Sequence, residues 1–266
     1  MAKLGNHLDV YKLLPKTNCR QCGLAACLAF AVAVIQGQKR LGDCPHLPPD
    51  LQAEVRGRDG EGSDGVDDIQ RTVAGLQEKV RGIGLATAAQ RLGLAMRQGQ
   101  MVVPSLGKDF LLGPDGIVSS CHVNHWLSLP ILNYVLHSQA VEPRGQWLHL
   151  RDLPGGLDWK HFFEHRCEKA LKKVIDQHTN LFELIIDIFS GSPAPEQFDS
   201  DIAVLIHPLP RLPILICYWK PEDGMDSSLN MFFDASAGQN LPIDAIYILC
   251  MGLVTMFEKI AQTHDR

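Results

Sequence analysis

The sequence predicts an α+β protein in two parts: a small helical module tethered to a larger α+β domain with short antiparallel strands. Three observations lead there. Four of the eight cysteines crowd between Cys19 and Cys44, near the front of the 266-residue chain. A polar stretch follows, in which Gly57 to Asp68 is rich in Gly, Asp and Glu and too poor in apolar side chains to pack. Beyond it, helical and strand-like runs come in separate blocks, without the βαβ rhythm of a parallel sheet. These breaks place a cysteine module at 1–48, a flexible acidic and glycine-rich linker at 49–68, and an α+β domain at 69–266.

In the module, Leu8, Val10, Leu13 and Leu14 make an apolar lead-in. Leu24 to Gln36 is rich in Ala, Leu, Phe and Val with no Pro or Gly inside, which predicts a helix closed by Gly37. Cys27 then lies in its first turn, where the helix dipole favours a thiolate. From Cys27 to Gln36 such a helix rises ~15 Å. Gly37 to Cys44 can span ~25 Å when extended, so the chain is long enough to turn and bring Cys44 back beside Cys27.

In the larger domain, Ile69, Val73, Leu76 and Val80 recur at helical spacing, with Gly82 and Gly84 interrupting. Met101 to Val103, Asp109 to Leu112 and Ile117-Val118 read as short strands joined by turns at Gly107 and Pro114-Asp115-Gly116. An apolar helix should run through Leu136, and 140–157 is rich in Pro and Gly. One or two amphipathic helices are expected over 158–189, bounded by a linker-like patch at Ser190 to Asp199. Ile202 to Ile206 and Leu212 to Trp219 read as a strand pair, Met231 to Phe233 as a last strand, and Pro242 as the N1 residue of a closing helix.

Composition narrows the function. Apolar residues make up 45% of the chain, enough for a sizeable core, and the net charge of −5 argues against sequence-independent nucleic-acid binding. The longest apolar run, Ala245 to Phe257, falls short of the roughly 20 residues of a membrane span. Asn6, His7 and Asp9 interrupt any early apolar run, so no secretory signal is expected. The protein is expected in the cytoplasm, where clustered cysteines stay reduced and bind metal.

The spacing C-x2-C-x4-C-x16-C places four thiols where they can wrap one inorganic centre. A four-cysteine zinc site is the alternative, although a zinc ribbon shows two C-x2-C knuckles and here there is one. Leu14-Pro15-Lys16-Thr17-Asn18, Cys19, Cys22-Gly23, Cys27, the Leu-Ala-Phe-Ala helix start, Gly37 and Cys44-Pro45 together resemble the small iron–sulfur domain of the corrinoid/iron–sulfur protein large subunit. Similar domains occur in acetyl-CoA decarbonylase/synthase complexes and Rnf-type subunits. The resemblance implies one [4Fe–4S] cluster on Cys19, Cys22, Cys27 and Cys44. Many members have Gly where this chain has Arg20, a cation that would favour the reduced cluster.

From about residue 70 to 262 the chain resembles a prokaryotic domain-of-unknown-function family. Leu106-Gly107-Lys108-Asp109-Phe110, His122-Val123-Asn124-His125-Trp126 and Leu153-Pro154-Gly155-Gly156 are among the residues that carry this. Here Cys121, His122 and His125 could form a second metal site or an axial contact to a tetrapyrrole, set against a polar helix start with Cys121 packed as a small hydrophobe. His161 and His165 are spaced as a possible ligand pair. Cys167, Cys217 and Cys250 read as core. Asp234-x-Ser236-x-Gly238-x-Asn240 is either a cation-binding loop or, more simply, an Asx turn, and Asp201 and Asp234 would pair if their strands adjoin. Walker A, GxGxxG, GxSxG and HExxH motifs are absent, as is the Asp-x-His-x-x-Gly run of corrinoid-binding domains.

The function expected is therefore electron transfer through an iron–sulfur cluster. The C-terminal domain would dock a protein redox partner or bind a redox-active ligand such as a corrinoid or other tetrapyrrole. Two alternatives stay open: a redox enzyme with its substrate or second metal near Cys121, His122 and His125, and a redox- or iron-sensing interaction protein.

Overall fold

The computed structural model describes residues 7–35, 39, 41–48, 64–120, 123–178, 180–194, 198–222 and 224–264. Contacts divide the chain into two units, Met1–Ile69 and Gln70–Arg266. Among the described residues no helix is long and apolar enough to cross a membrane.

The first unit holds α1 (His7–Leu13), α2 (Cys27–Ile35) and a single 3-10 turn at Leu41–Asp43. Val10, Leu14, Phe30, Ala31 and Leu47 close a small core in which Cys27 and Cys44 are also buried. Helix α2 starts at Cys27, three residues later than its apolar run, because residues 24–26 are drawn into the preceding loop. The expected linker lies outside the described residues as far as 63. Residues 64–68 are helical rather than linker, since the acidic run there suits the N-terminus of the helix that the 69–80 pattern propagates.

Helix α3 (Asp64–Ile83) begins within the first unit's residues, and its second-unit part supplies Val73, Leu76 and Val80 to the large core; the break before α4 (Leu85–Leu92) falls at Gly84. Strands β1 (Met96–Arg97), β2 (Gln100–Ser105), β3 (Lys108–Gly113) and β4 (Gly116–Ser119) form an antiparallel meander in sequence order. Its register sets Met101 opposite Leu112 and Val103 opposite Phe110, so four buried side chains share one face. Helix α5 (His125–His137) follows.

The second sheet has the order β5-β9-β8-β7-β6, all antiparallel. Its strands are β5 (Trp147–His149), β6 (Ser192–Pro193), β7 (Ile202–Leu209), β8 (Leu212–Trp219) and β9 (Ser228–Asp234). Central β8 is buried on both faces. Ile214 and Ile216 join the main core, while Leu215 and Cys217 pack with Phe232 under Phe198, whose ring stacks on Phe232 at 4.7 Å. Strand β5 and edge strand β6 lie in stretches the sequence marks only as Pro- and Gly-rich or linker-like. Each is too short to show a period of two.

Between β5 and β6 in sequence come α6 (Lys160–Phe163), a π-helical turn (Glu164–Glu168), α7 (Lys169–Gln177) and α8 (Leu181–Phe189). Short α9 (Ala237–Asn240) leads to α10 (Ile243–His264). Pro242 sits just ahead of α10, one place before N1, and its carbonyl accepts the Ile246 amide at 3.0 Å. Ile246, Leu249, Cys250, Leu253 and Phe257 form the buried stripe of α10.

Candidate metal centre

The loop between α1 and α2 is built for four thiols. Lys16, Asn18 and Arg20 take left-handed backbone angles (φ 59°, 50° and 61°), as does Gly23 (φ 81°). Left-handed residues alternating with ordinary ones turn successive amides toward one side, a backbone device that favours an anion. The Gly23 amide donates to the Arg20 carbonyl at 2.9 Å, closing the turn between Cys19 and Cys22. At φ 61° Arg20 carries a Cβ penalty that a glycine there would not.

Two further contacts hold the cysteines in register. The Asn18 side-chain oxygen accepts the Cys27 amide at 2.8 Å, so a residue nine positions away caps α2 at its cysteine. On the returning strand, His46 Nε2 and Gln21 Oε1 are 2.7 Å apart, which fastens the Cys44-Pro45-His46 segment to the Cys19–Cys22 loop. Neither contact has a sequence signal, since both join residues with no fixed spacing. The expected turn at Gly37 lies outside the described residues.

Cys19 is exposed, Cys22 half-buried, and Cys27 and Cys44 buried; all four are free thiols. Burial pushes the Cys44 thiol above its ordinary value. An amide hydrogen bond from His46 opposes this, and negative charge on Cys27, Cys22 and Cys19 acts in the same sense as burial. Cys44 thus stands within electrostatic reach of the other three. Among the described residues, no three His, Cys, Asp or Glu side chains converge closely enough to hold a single metal ion. The donor set of four thiols beside an amide-rich loop is one that an iron–sulfur cluster takes.

Elsewhere the candidates fare differently. Cys121 and His122 lie outside the described residues; His125 is the exposed first residue of α5. The rings of His161 and His165 approach to 4.5 Å across the start of the π turn, on the surface. Cys167 and Cys250 are buried together in the main core, where burial pushes both thiols upward, and Cys217 is buried in the small outer cluster.

Asp201 and Asp234 do not pair, because β8 separates β7 from β9; Asp201 instead accepts the Lys220 amide at 2.7 Å. Asp234 is consumed by the Arg144 and Gly145 amides and by the amide and hydroxyl of Ser236. Asn240 is likewise engaged with Ser138, Val141 and Arg211. The oxygen-rich loop is therefore a structural turn.

Residues 14–46 match the family described as "Putative Fe-S cluster". Residues 85–256, from α4 into α10, match the family described as "Domain of unknown function (DUF3786)". The front of the chain is 54% identical over 48 residues to the acetyl-CoA decarbonylase/synthase complex subunit gamma of Methanothermobacter thermautotrophicus, covering 18% of this chain and 10% of that protein. It is 48% identical over 40 residues to the corrinoid/iron-sulfur protein large subunit of Moorella thermoacetica, covering 15% of this chain and 9% of that protein. The chain thus spans about a tenth of the length of these relatives. No solved structure matches the chain.

Proposed function

The chain belongs to the DUF3786 family, and we propose that it passes single electrons through a [4Fe–4S] cluster held by Cys19, Cys22, Cys27 and Cys44. The gathering of four free thiols within a stretch that matches an iron–sulfur family carries this reading. When bound, such a cluster takes up and gives back one electron at a potential set by its surroundings.

The chain's own groups supply those surroundings. Val10, Phe30 and Leu47 pack beside Cys27 and Cys44 and keep water from that side. Exposed Cys19 offers the opposite side to a partner. Asn18 fixes the amide of Cys27, and the charge of Arg20, next to Cys19, favours the reduced state and raises the potential.

The two relatives are named as subunits, one of them of a complex, which supports a protein partner for this chain. Residues 1–48 carry six Lys or Arg against two Asp or Glu, a surplus suited to an acidic docking face. The unit from Gln70 onward docks a partner. A corrinoid or other tetrapyrrole on that unit, or catalysis there, would rest on His125 and its neighbours.

Anaerobic preparation of the full chain tests the proposal. Iron and acid-labile sulfide in the ratio of a [4Fe–4S] centre are expected, with a paramagnetic signal after reduction by dithionite. Cys44→Ser should abolish both. One zinc per chain and no iron would overturn the reading. A visible chromophore that survives in Cys44→Ser would reveal a second cofactor on the larger unit.

A further inference from the structure

Within the larger unit, four elements enclose a cavity of about 290 Å³. The β2–β3 turn, the start of α5, the end of α8 and the last turns of α10 each contribute lining residues. Phe110, Trp126, Phe189 and Ile260 make apolar walls, and the exposed Lys108 and Lys259 complete the lining. Leu106, Lys108 and Phe110 from one stretch that stands out in the sequence, and Asn124 and Trp126 from another, thus line one cavity.

The cavity's shape is held by close backbone approaches. The ring of Trp126 lies where a Cβ on Gly252 would stand, 2.2 Å away, so only glycine in α10 lets the indole lie flat there. Gly107, at φ 73°, brings the β2–β3 turn against Ser190 at the end of α8, with the Ser190 hydroxyl 2.1 Å from its Cβ position.

The polar groups define what the cavity accepts. The Ser105 hydroxyl donates to the Pro208 carbonyl at 2.7 Å, and the Thr255 hydroxyl to the Met251 carbonyl at 2.9 Å, so both are engaged. Among the described residues neither Lys108 nor Lys259 has an ion pair or side-chain hydrogen bond, and no carboxylate lines the cavity. Lys108, Lys259 and Asn124, with no side-chain partner among the described residues, therefore border an apolar chamber in a chain whose net charge is −5.

We infer that this cavity binds an amphipathic anion, with its apolar body between Phe110, Trp126, Phe189 and Ile260 and its head group between Lys108 and Lys259. A chamber of this volume, open to solvent on one side, takes a medium-chain acyl or alkyl tail. Carboxylate and phosphate head groups share the required chemistry.

Binding is measured on the full chain with decanoate, decyl phosphate, decanol and decyltrimethylammonium, by calorimetry and by tryptophan fluorescence. Saturable binding of decanoate or decyl phosphate is expected, the tighter of the two naming the head group. Trp126→Phe should remove most of the fluorescence change while calorimetric binding persists. The exposed double substitution Lys108→Met, Lys259→Met should weaken anion binding about tenfold and leave decanol unchanged. Rising salt should likewise weaken only the anions. Absence of saturable binding by both anions, equal binding of the cationic probe, or anion affinity unchanged in the double variant would each overturn the assignment.

Discussion

Replacing Asp234 by Asn changes almost no volume but should destabilise the larger unit sharply. Asp234 ends β9 and is fully buried. One carboxylate oxygen accepts the Arg144 amide at 2.9 Å and the Gly145 amide at 2.7 Å; the other accepts the Ser236 amide at 2.9 Å and its hydroxyl at 2.6 Å. These bonds anchor the chain just before β5, whose Trp147 is the register partner of Asp234. In Asp234→Asn the carboxamide keeps its oxygen toward the Arg144 and Gly145 amides and turns its NH2 to Ser236, whose hydroxyl can rotate to accept while its amide is stranded. One stranded amide together with the loss of charge-assisted bonds comes to about 2 to 3 kcal/mol. For a unit of this size that lowers Tm by roughly 7 °C.

Urea unfolding followed by tryptophan fluorescence reads this unit alone, because Trp126, Trp147, Trp159 and Trp219 all lie in it. The pH dependence supplies a second check. Burial acts to raise the Asp234 carboxyl, but its hydrogen bonds prevail and hold it below the ordinary value of 3.8. A depressed acid contributes stability above the ordinary value and loses it as pH falls through the folded value. The gap between wild type and Asp234→Asn should therefore be full at pH 7 and narrow only below about pH 4. A loss under about 1 kcal/mol at pH 7 would refute the hydrogen-bond account. Stabilisation of the wild type by calcium, absent in the variant, would restore the cation-site reading.

Three further outcomes follow from the geometry. Asn18→Ala removes the cap on Cys27, worth about 1 kcal/mol, and places alanine at φ 50°, costing about 1 kcal/mol more; Asn18→Gly loses only the cap. Cluster loss to an iron chelator should therefore be fastest in Asn18→Ala and intermediate in Asn18→Gly, and equal rates in the two would contradict this. Arg20→Gly should slow the same loss by relieving φ 61° and should shift the potential negative in a redox titration. Burial raises the Glu168 carboxyl, opposed by the Met231 amide, so stability falls as pH climbs from the ordinary value of 4.5 through the folded one. Glu168→Gln should melt higher than wild type at pH 7 and show no gain at pH 4; a lower Tm at both would mean that the charge stabilises the fold.

Local pattern determined much of the protein. The cysteine spacing named the kind of cofactor to look for, because ligand identity and reach are properties of the chain itself. Periodicity placed α3, α5, α10 and the β7–β8 hairpin, since each long element repeats one signal over several turns or alternations. Burial of Cys167, Cys217 and Cys250 was legible from their apolar neighbours.

Tertiary structure decided the rest. The cap from Asn18 to Cys27, the clasp from His46 to Gln21 and the anchoring of Arg144 and Gly145 by Asp234 join residues 9, 25 and about 90 positions apart. No spacing rule encodes such contacts. Strands β5 and β6 exist because β9 and β7 offer them partners, and Asp201 and Asp234 stay apart because β8 lies between. The cavity between Lys108 and Lys259 belongs to the same class: its four walls come from segments scattered over 150 residues, and only packing brings them to one place.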